Sequence, residues 1–140
     1  MTGDTARPRT PVIPTMRYAD APRMLDWLCT AFGFERHFVV PGDAGTIAHA
    51  RLAFGNGIVM LGSARDDEWG GLVKPVGTPG GPTGAVYVVV SDPDAHCARA
   101  GAAGAEILYG PRDTDYGSRE YAARDPEGGI WSFGTYDPWA

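Results

Sequence analysis

PVIPTMRYAD at residues 11–20 and GAVYVVVSD at residues 84–92 decide the fold, because they carry the same instruction twice. Each is a short extended run that ends in an acid and leads into a helix with a proline nearby, Pro22 or Pro93. The two acids, Asp20 and Asp92, stand 92 − 20 = 72 positions apart. The helix exits, Phe32-Gly33-Phe34 and Ala103-Gly104-Ala105, repeat at 103 − 32 = 71. Each copy continues into a strand hairpin, at Asn56-Gly57 in the first and Asp125-Pro126-Glu127-Gly128 in the second. A period of this size marks one supersecondary unit used twice to share a core. A duplicated strand–helix–hairpin unit builds a curved sheet with an interior cleft, and function belongs in that cleft.

Composition narrows the classes. At 140 residues the chain has the length of one domain. A hydrophobic content of 44% is that of an ordinary globular protein. The net charge of −5, with no basic run, speaks against nucleic acid. No apolar stretch reaches the ~18 residues of a membrane span, and MTGDTARPRTP at residues 1–11 lacks the apolar core of a signal peptide. Residues 1–10 read as a disordered lead-in and residues 11–140 as one domain. Within it module one spans about 11–62, a linker 63–83, and module two about 84–136. Each module is too small to bury much core alone, so the two must pack together or with another subunit, and a homodimer is expected. Cys29 and Cys97, in a chain without an export signal, read as free thiols in a reducing cytoplasm.

The first helix is expected from about Asp20 to Phe32, capped by Asp20, with Met24, Leu25, Leu28, Ala31 and Phe32 on one face. The second is expected from about Pro93 to Ala103, capped by Asp92 and stopped at Gly104. The Gly- and Pro-rich linker reads as a long mobile connection, and Trp69 within it reads as part of a lid.

Hairpin chemistry assigns the faces. Asn56-Gly57 as a two-residue loop pairs Gly55 with Ile58, Phe54 with Val59 and Leu52 with Leu61. Ala50, Leu52, Phe54, Val59 and Leu61 then form an apolar face for helix packing. His49, Arg51, Ala53, Ile58 and Met60 form a mixed face suited to a cleft. The second hairpin pairs Ala123 with Ile130, Tyr121 with Ser132 and Arg119 with Gly134. That sends Trp131 and Phe133 to the helix side and Arg119, Tyr121 and Ser132 to the cleft.

At YADAPRMLDWLCTAFGFE, VSDPDAHCARAGAAGAEI and DYGSREYAARDPEGGIWSFGTY the chain resembles the glyoxalase/bleomycin-resistance/dioxygenase group, the vicinal oxygen chelate superfamily. The pieces cover most of residues 11–136, and the RDPEGGIW turn is the most specific. The resemblance implies an α+β fold of two tandem βαβββ modules around one cleft, commonly completed by dimerisation. It also implies, for many enzymatic members, a divalent metal held by four side chains. Those places fall on Ile13, Met60, Ala85 and Ser132 in this chain. Such metals need imidazole or carboxylate donors, so the expectation is a metal-free, cofactor-free cleft. This is similar to the drug-sequestering branch, which includes antibiotic binders.

Binding of a small aromatic or anionic molecule is therefore the leading reading, with a glyoxalase-like lyase or isomerase as the alternative. Arg17, Arg51 and Arg119 could grip a carboxylate or phosphate in bidentate geometry, or could pair internally with Glu106, Asp115 or Glu120. Trp69, Tyr87, Tyr116 and Tyr121 could stack on an aromatic ligand. Met60 and Ser132 complete the cleft wall. His49 and Glu120 are the candidate bases if a reaction occurs. His37 and His96 read as surface residues. Neither a nucleophile elbow nor a phosphate loop is present.

Overall fold

The computed structural model describes residues 10–139; most of the lead-in expected at residues 1–10 lies outside them. The chain is α+β, with two four-stranded mixed sheets built by the same path. In the first half of the chain β1 (Thr15–Tyr18) leads into α1 (Ala21–Phe32), followed by β2 (Glu35–Pro41), β3 (Ile47–Phe54) and β4 (Gly57–Ser63). In the second, β5 (Val86–Val89) leads into α3 (Pro93–Ala102), then β6 (Glu106–Asp113), β7 (Arg119–Arg124) and β8 (Ile130–Gly134). The strand orders are β1-β4-β3-β2 and β5-β8-β7-β6, with the first pair of each parallel and the others antiparallel. The described residues form two compact units, 10–29 with 33–75, and 30–32 with 76–139. The segment between β4 and β5 is not structureless: it holds a short helix α2 (Glu68–Leu72), whose N-cap Asp67 accepts from Gly70 N–H at 2.8 Å.

The repeat survives in the register. Met16 lies opposite Leu61 and Val88 opposite Phe133, so both members recur at 88 − 16 = 133 − 61 = 72. Asp20 and Asp92 cap their helices alike, accepting from the third residue on, Arg23 N–H at 3.2 Å and Ala95 N–H at 3.1 Å. Gly33 ends α1 at φ 84°, a left-handed conformation glycine adopts freely, and its N–H returns to the Cys29 carbonyl.

The predicted face of α1 is the buried one: Met24, Leu25, Leu28, Ala31 and Phe32 are all nearly inaccessible. In the first hairpin the turn is Gly55-Asn56, with Gly55 at φ 57°, the position a type II′ turn requires. Leu52 thus pairs with Val59, and Ala50 with Leu61, two residues away from the expected register. Because side chains alternate with period 2, an even shift keeps the faces. Ala50, Leu52, Val59 and Leu61 are buried as expected.

The second hairpin corrects the expectation. Its loop is Asp125–Gly129, one residue longer than read, and Tyr121 pairs with Phe133, Ala122 with Ser132, and Glu120 with Gly134. A shift of one inverts β7. Tyr121 turns into the core and is fully buried, while Glu120 turns to the opposite face. Trp131 and Phe133 are buried as expected, with the Phe32 ring 5.4 Å and 4.7 Å from them within the same unit.

Candidate functional site

In the first unit the face opposite the apolar one carries the chemistry. Register places Thr15 beside Met60, Arg17 beside Gly62, Arg51 beside Met60 and Phe38, and Val40 beside His49. The Arg51 guanidinium lies 4.6 Å from the centre of the Phe38 ring, a cation–π arrangement. Its Nε is buried and makes no hydrogen bond among the described residues, an arrangement that costs free energy unless a partner is supplied. Among the described residues Arg17 reaches only the Ser63 carbonyl, at a long 3.5 Å. A side chain at Gly62 would collide with the Arg17 guanidinium, so this glycine makes room for it. Burial, then the Arg65 charge, lower the Arg17 pKa, with Asp67 opposing. Neither Arg17 nor Arg51 has an ion-pair partner among the described residues. His49 is half-buried on the same face. Trp69 sits on α2, partly exposed.

The second unit carries a different cluster on its outward face. Glu120 is buried, yet its carboxylate accepts from Tyr116 Oη at 2.6 Å, Tyr87 Oη at 2.8 Å and Ser118 Oγ at 3.1 Å. Burial raises the Glu120 pKa, but the three hydroxyls outweigh it, and the net shift is downward. Hydrogen bonding to the carboxylate pushes Tyr116 up to about 12. A carboxylate so held is a poor general base, because it is both occupied and weakly basic. Ser132 lies opposite Tyr87 on this face.

Two expected cleft residues are elsewhere. Arg119 reaches α3 and forms a two-bond ion pair with Asp94, at 2.8 and 2.9 Å, plus a bond to Asp113 at 3.1 Å. These partners were not among the acids anticipated. Tyr121 is in the core because β7 is shifted by one residue, and it is paired with His96.

His96, expected at the surface, is a clip. Its Nε2 lies 2.7 Å from the Phe32 carbonyl, which can only accept, so this nitrogen carries the proton. Its Nδ1 then accepts from Tyr121 Oη at 2.5 Å. One turn along, Arg99 Nε donates to the Thr30 carbonyl at 2.9 Å. Both carbonyls belong to the last turn of α1, where helical partners run out. The sequence signal was the i, i+3 spacing of His96 and Arg99 on one helical face. Burial lowers the His96 pKa, against the raising effect of the Phe32 bond, and Arg99 lowers it further. The unfolded chain therefore takes up a proton first, near the ordinary value of about 6.5. The contribution of neutral His96 is complete above that value and is lost as pH falls through the lower folded value. Urea melts at descending pH between about 7.5 and 5.5 should show wild type losing stability faster than His96→Gln.

The family's metal places do not fit a metal. Ile13, Met60, Ala85 and Ser132 offer two hydrocarbons, a thioether and a hydroxyl. The register partners of Met60 and Ser132, Thr15 and Tyr87, add only hydroxyls. Among the described residues no three His, Cys, Asp or Glu side chains gather to hold an ion.

The geometry agrees with known relatives. The sequence model of the Glyoxalase/Bleomycin resistance protein/Dioxygenase superfamily matches residues 12–133. An uncharacterized protein of Mycobacterium bovis is 31% identical over 121 residues, covering 86% of this chain and 80% of that one. An uncharacterized protein of Mycobacterium tuberculosis is likewise 31% identical, over 86% of this chain and 71% of its own. The crystal structure of TioX from Micromonospora sp. ML1 superposes with a TM-score of 0.70 at 36% identity, covering 89% of this chain and 94% of that one. The fosfomycin resistance protein FosX from Mesorhizobium loti shares the fold alone, with a TM-score of 0.65 at 13% identity over 95% of this chain and 96% of its own. The two sheets of like register, the RDPEGGIW hairpin and the matched span lead to one assignment: the chain belongs to the Glyoxalase/Bleomycin resistance protein/Dioxygenase superfamily.

Proposed function

We propose that this protein binds a small anionic, aromatic-bearing molecule without a metal, on the face of the first sheet that carries Arg17, His49, Arg51 and Met60. The observation that carries the reading is the buried Arg51 Nε with no hydrogen-bond partner among the described residues. A carboxylate or phosphate oxygen would satisfy it, and the neighbouring Phe38 offers a flat apolar surface. Trp69, in the same unit, is a further contact in this reading. Sequestration of a toxic natural product is its biological version, in the cytoplasm and by a homodimer; light scattering tests the assembly.

Calorimetry with 1-naphthoate against the neutral 1-naphthamide tests the charge preference. The carboxylate should bind more tightly, and Arg51→Ala should weaken it by about 1–3 kcal/mol, the worth of a charge-assisted bond. Equal binding of acid and amide, unchanged in Arg51→Ala, would overturn the reading. Elemental analysis of dialysed protein should find divalent metal far below one ion per chain, as the donor set at Ile13, Met60, Ala85 and Ser132 requires. A stoichiometric ion that survives dialysis would instead favour a metal-dependent lyase or isomerase. A metal-free reaction on this face would fall to His49, whose side chain makes no hydrogen bond among the described residues and shares the face of the two arginines.

A further inference from the structure

The second unit holds a negative charge that no cation among the described residues balances. Glu120 is buried and kept ionised by hydroxyl donors alone. No cation pairs with it among the described residues. Its register neighbour Arg112 makes no ion pair among the described residues, and its guanidinium lies 3.9 Å from the centre of the Tyr109 ring. Around the carboxylate stand three partly exposed tyrosines, Tyr87, Tyr116 and Tyr136. The Tyr136 ring meets Tyr87 at 80° and Tyr116 at 86°, with centroids 6.5 and 6.0 Å apart. Tyr136 N–H also donates to Tyr87 Oη at 3.2 Å, tying the third ring to the cluster. The cluster depends on Gly134, since a side chain there would collide with Tyr87 Oη and Glu120 Cγ.

These features share one chemical consequence. A ring face attracts a cation through its quadrupole. A phenol that donates to a carboxylate is richer in electrons than a free one, so Tyr87 and Tyr116 attract a cation more strongly. Rings set nearly perpendicular present faces in more than one direction. A small, strongly hydrated ion would need oxygen ligands with free lone pairs, and here both carboxylate oxygens already accept from hydroxyls. A weakly hydrated alkylammonium group needs only ring faces and a nearby negative charge. We propose that the outward face of the second sheet is a binding site for an organic ammonium group, seated on Tyr87, Tyr116 and Tyr136 with Glu120 as its counter-charge. Its residues all belong to the second unit, whereas Arg17, His49, Arg51 and Met60 belong to the first, and the two readings call for ligands of opposite charge.

Choline and its neutral isostere 3,3-dimethylbutan-1-ol differ in the replacement of N⁺ by carbon, so they isolate the charge. In NMR titrations of the full chain, choline should bind roughly threefold to thirtyfold more tightly than the isostere, with saturable shifts at residues 87, 116 and 136. Tyr116→Leu and Tyr136→Leu alter exposed rings and should remove most of that preference without unfolding the chain. Glu120→Gln should abolish it. Equal affinity for the two compounds, saturable shifts absent from these tyrosines, or leucine variants that keep the preference would overturn the proposal.

Discussion

Asp125→Ala is expected to destabilise the fold by about 3–5 kcal/mol, because one buried carboxylate serves three donors. Its Oδ1 accepts from Glu127 N–H and Gly129 N–H, each at 2.9 Å, and its Oδ2 accepts from Trp131 Nε1 at 2.9 Å. The carboxylate therefore ties the β7–β8 loop to the largest side chain of the core. Alanine would leave those donors without it, two of them in buried surroundings. Asp125→Asn should recover part of the loss: the amide oxygen can still serve the loop, but the amide N–H₂ then faces the indole N–H. Urea unfolding followed by Trp fluorescence measures both. An alanine variant within ~0.5 kcal/mol of wild type would mean that the loop is held by its backbone bonds alone.

Leu61→Ala should cost ~2–5 kcal/mol, as loss of a buried leucine does, whereas Arg51→Ala should stay within ~0.5 kcal/mol. The two residues belong to adjacent strands on opposite faces of one sheet. Leu61 is 2% exposed, opposite Ala50, and Arg51 is half-buried opposite Met60. Arg51 can be removed cheaply because its Nε satisfies no acceptor among the described residues, so its deletion orphans none of them. The pair of melts thus tests the orientation of the first sheet and the claim that Arg51 is kept for a ligand. A large loss for Arg51→Ala with a small one for Leu61→Ala would reverse the faces and remove the proposed arginine site.

Why one hairpin was legible and the other was not follows from the geometry of strands. The alternation in residues 50–61 places Leu52 and Leu61 on one face whichever two-residue turn closes the hairpin. The actual turn, Gly55-Asn56, moves the register by two and changes no face. In residues 119–134 the loop is longer by one residue, and a single step inverts a strand. Tyr121 went to the core, Arg119 to Asp94, and Glu120 to the tyrosine cluster for that one reason.

The sequence by itself determined the features encoded locally. They are the duplicated strand–helix–hairpin path, the Asp20 and Asp92 caps, the buried stripe of α1, and the absence of metal donors at Ile13, Met60, Ala85 and Ser132. Only the tertiary structure decided the rest. Asp125 uses its carboxylate to bond Gly129 and Trp131, a choice no turn propensity records, and that bonding is compatible with the five-residue loop that orients β7. His96 found its partners 64 and 25 residues away, at the end of α1 and on β7. Among the described residues Arg17 and Arg51 were left without counter-charges, and Glu120 without a cation, because pairing depends on which side chains the sheets bring within about 4 Å, a distance that sequence separation does not encode.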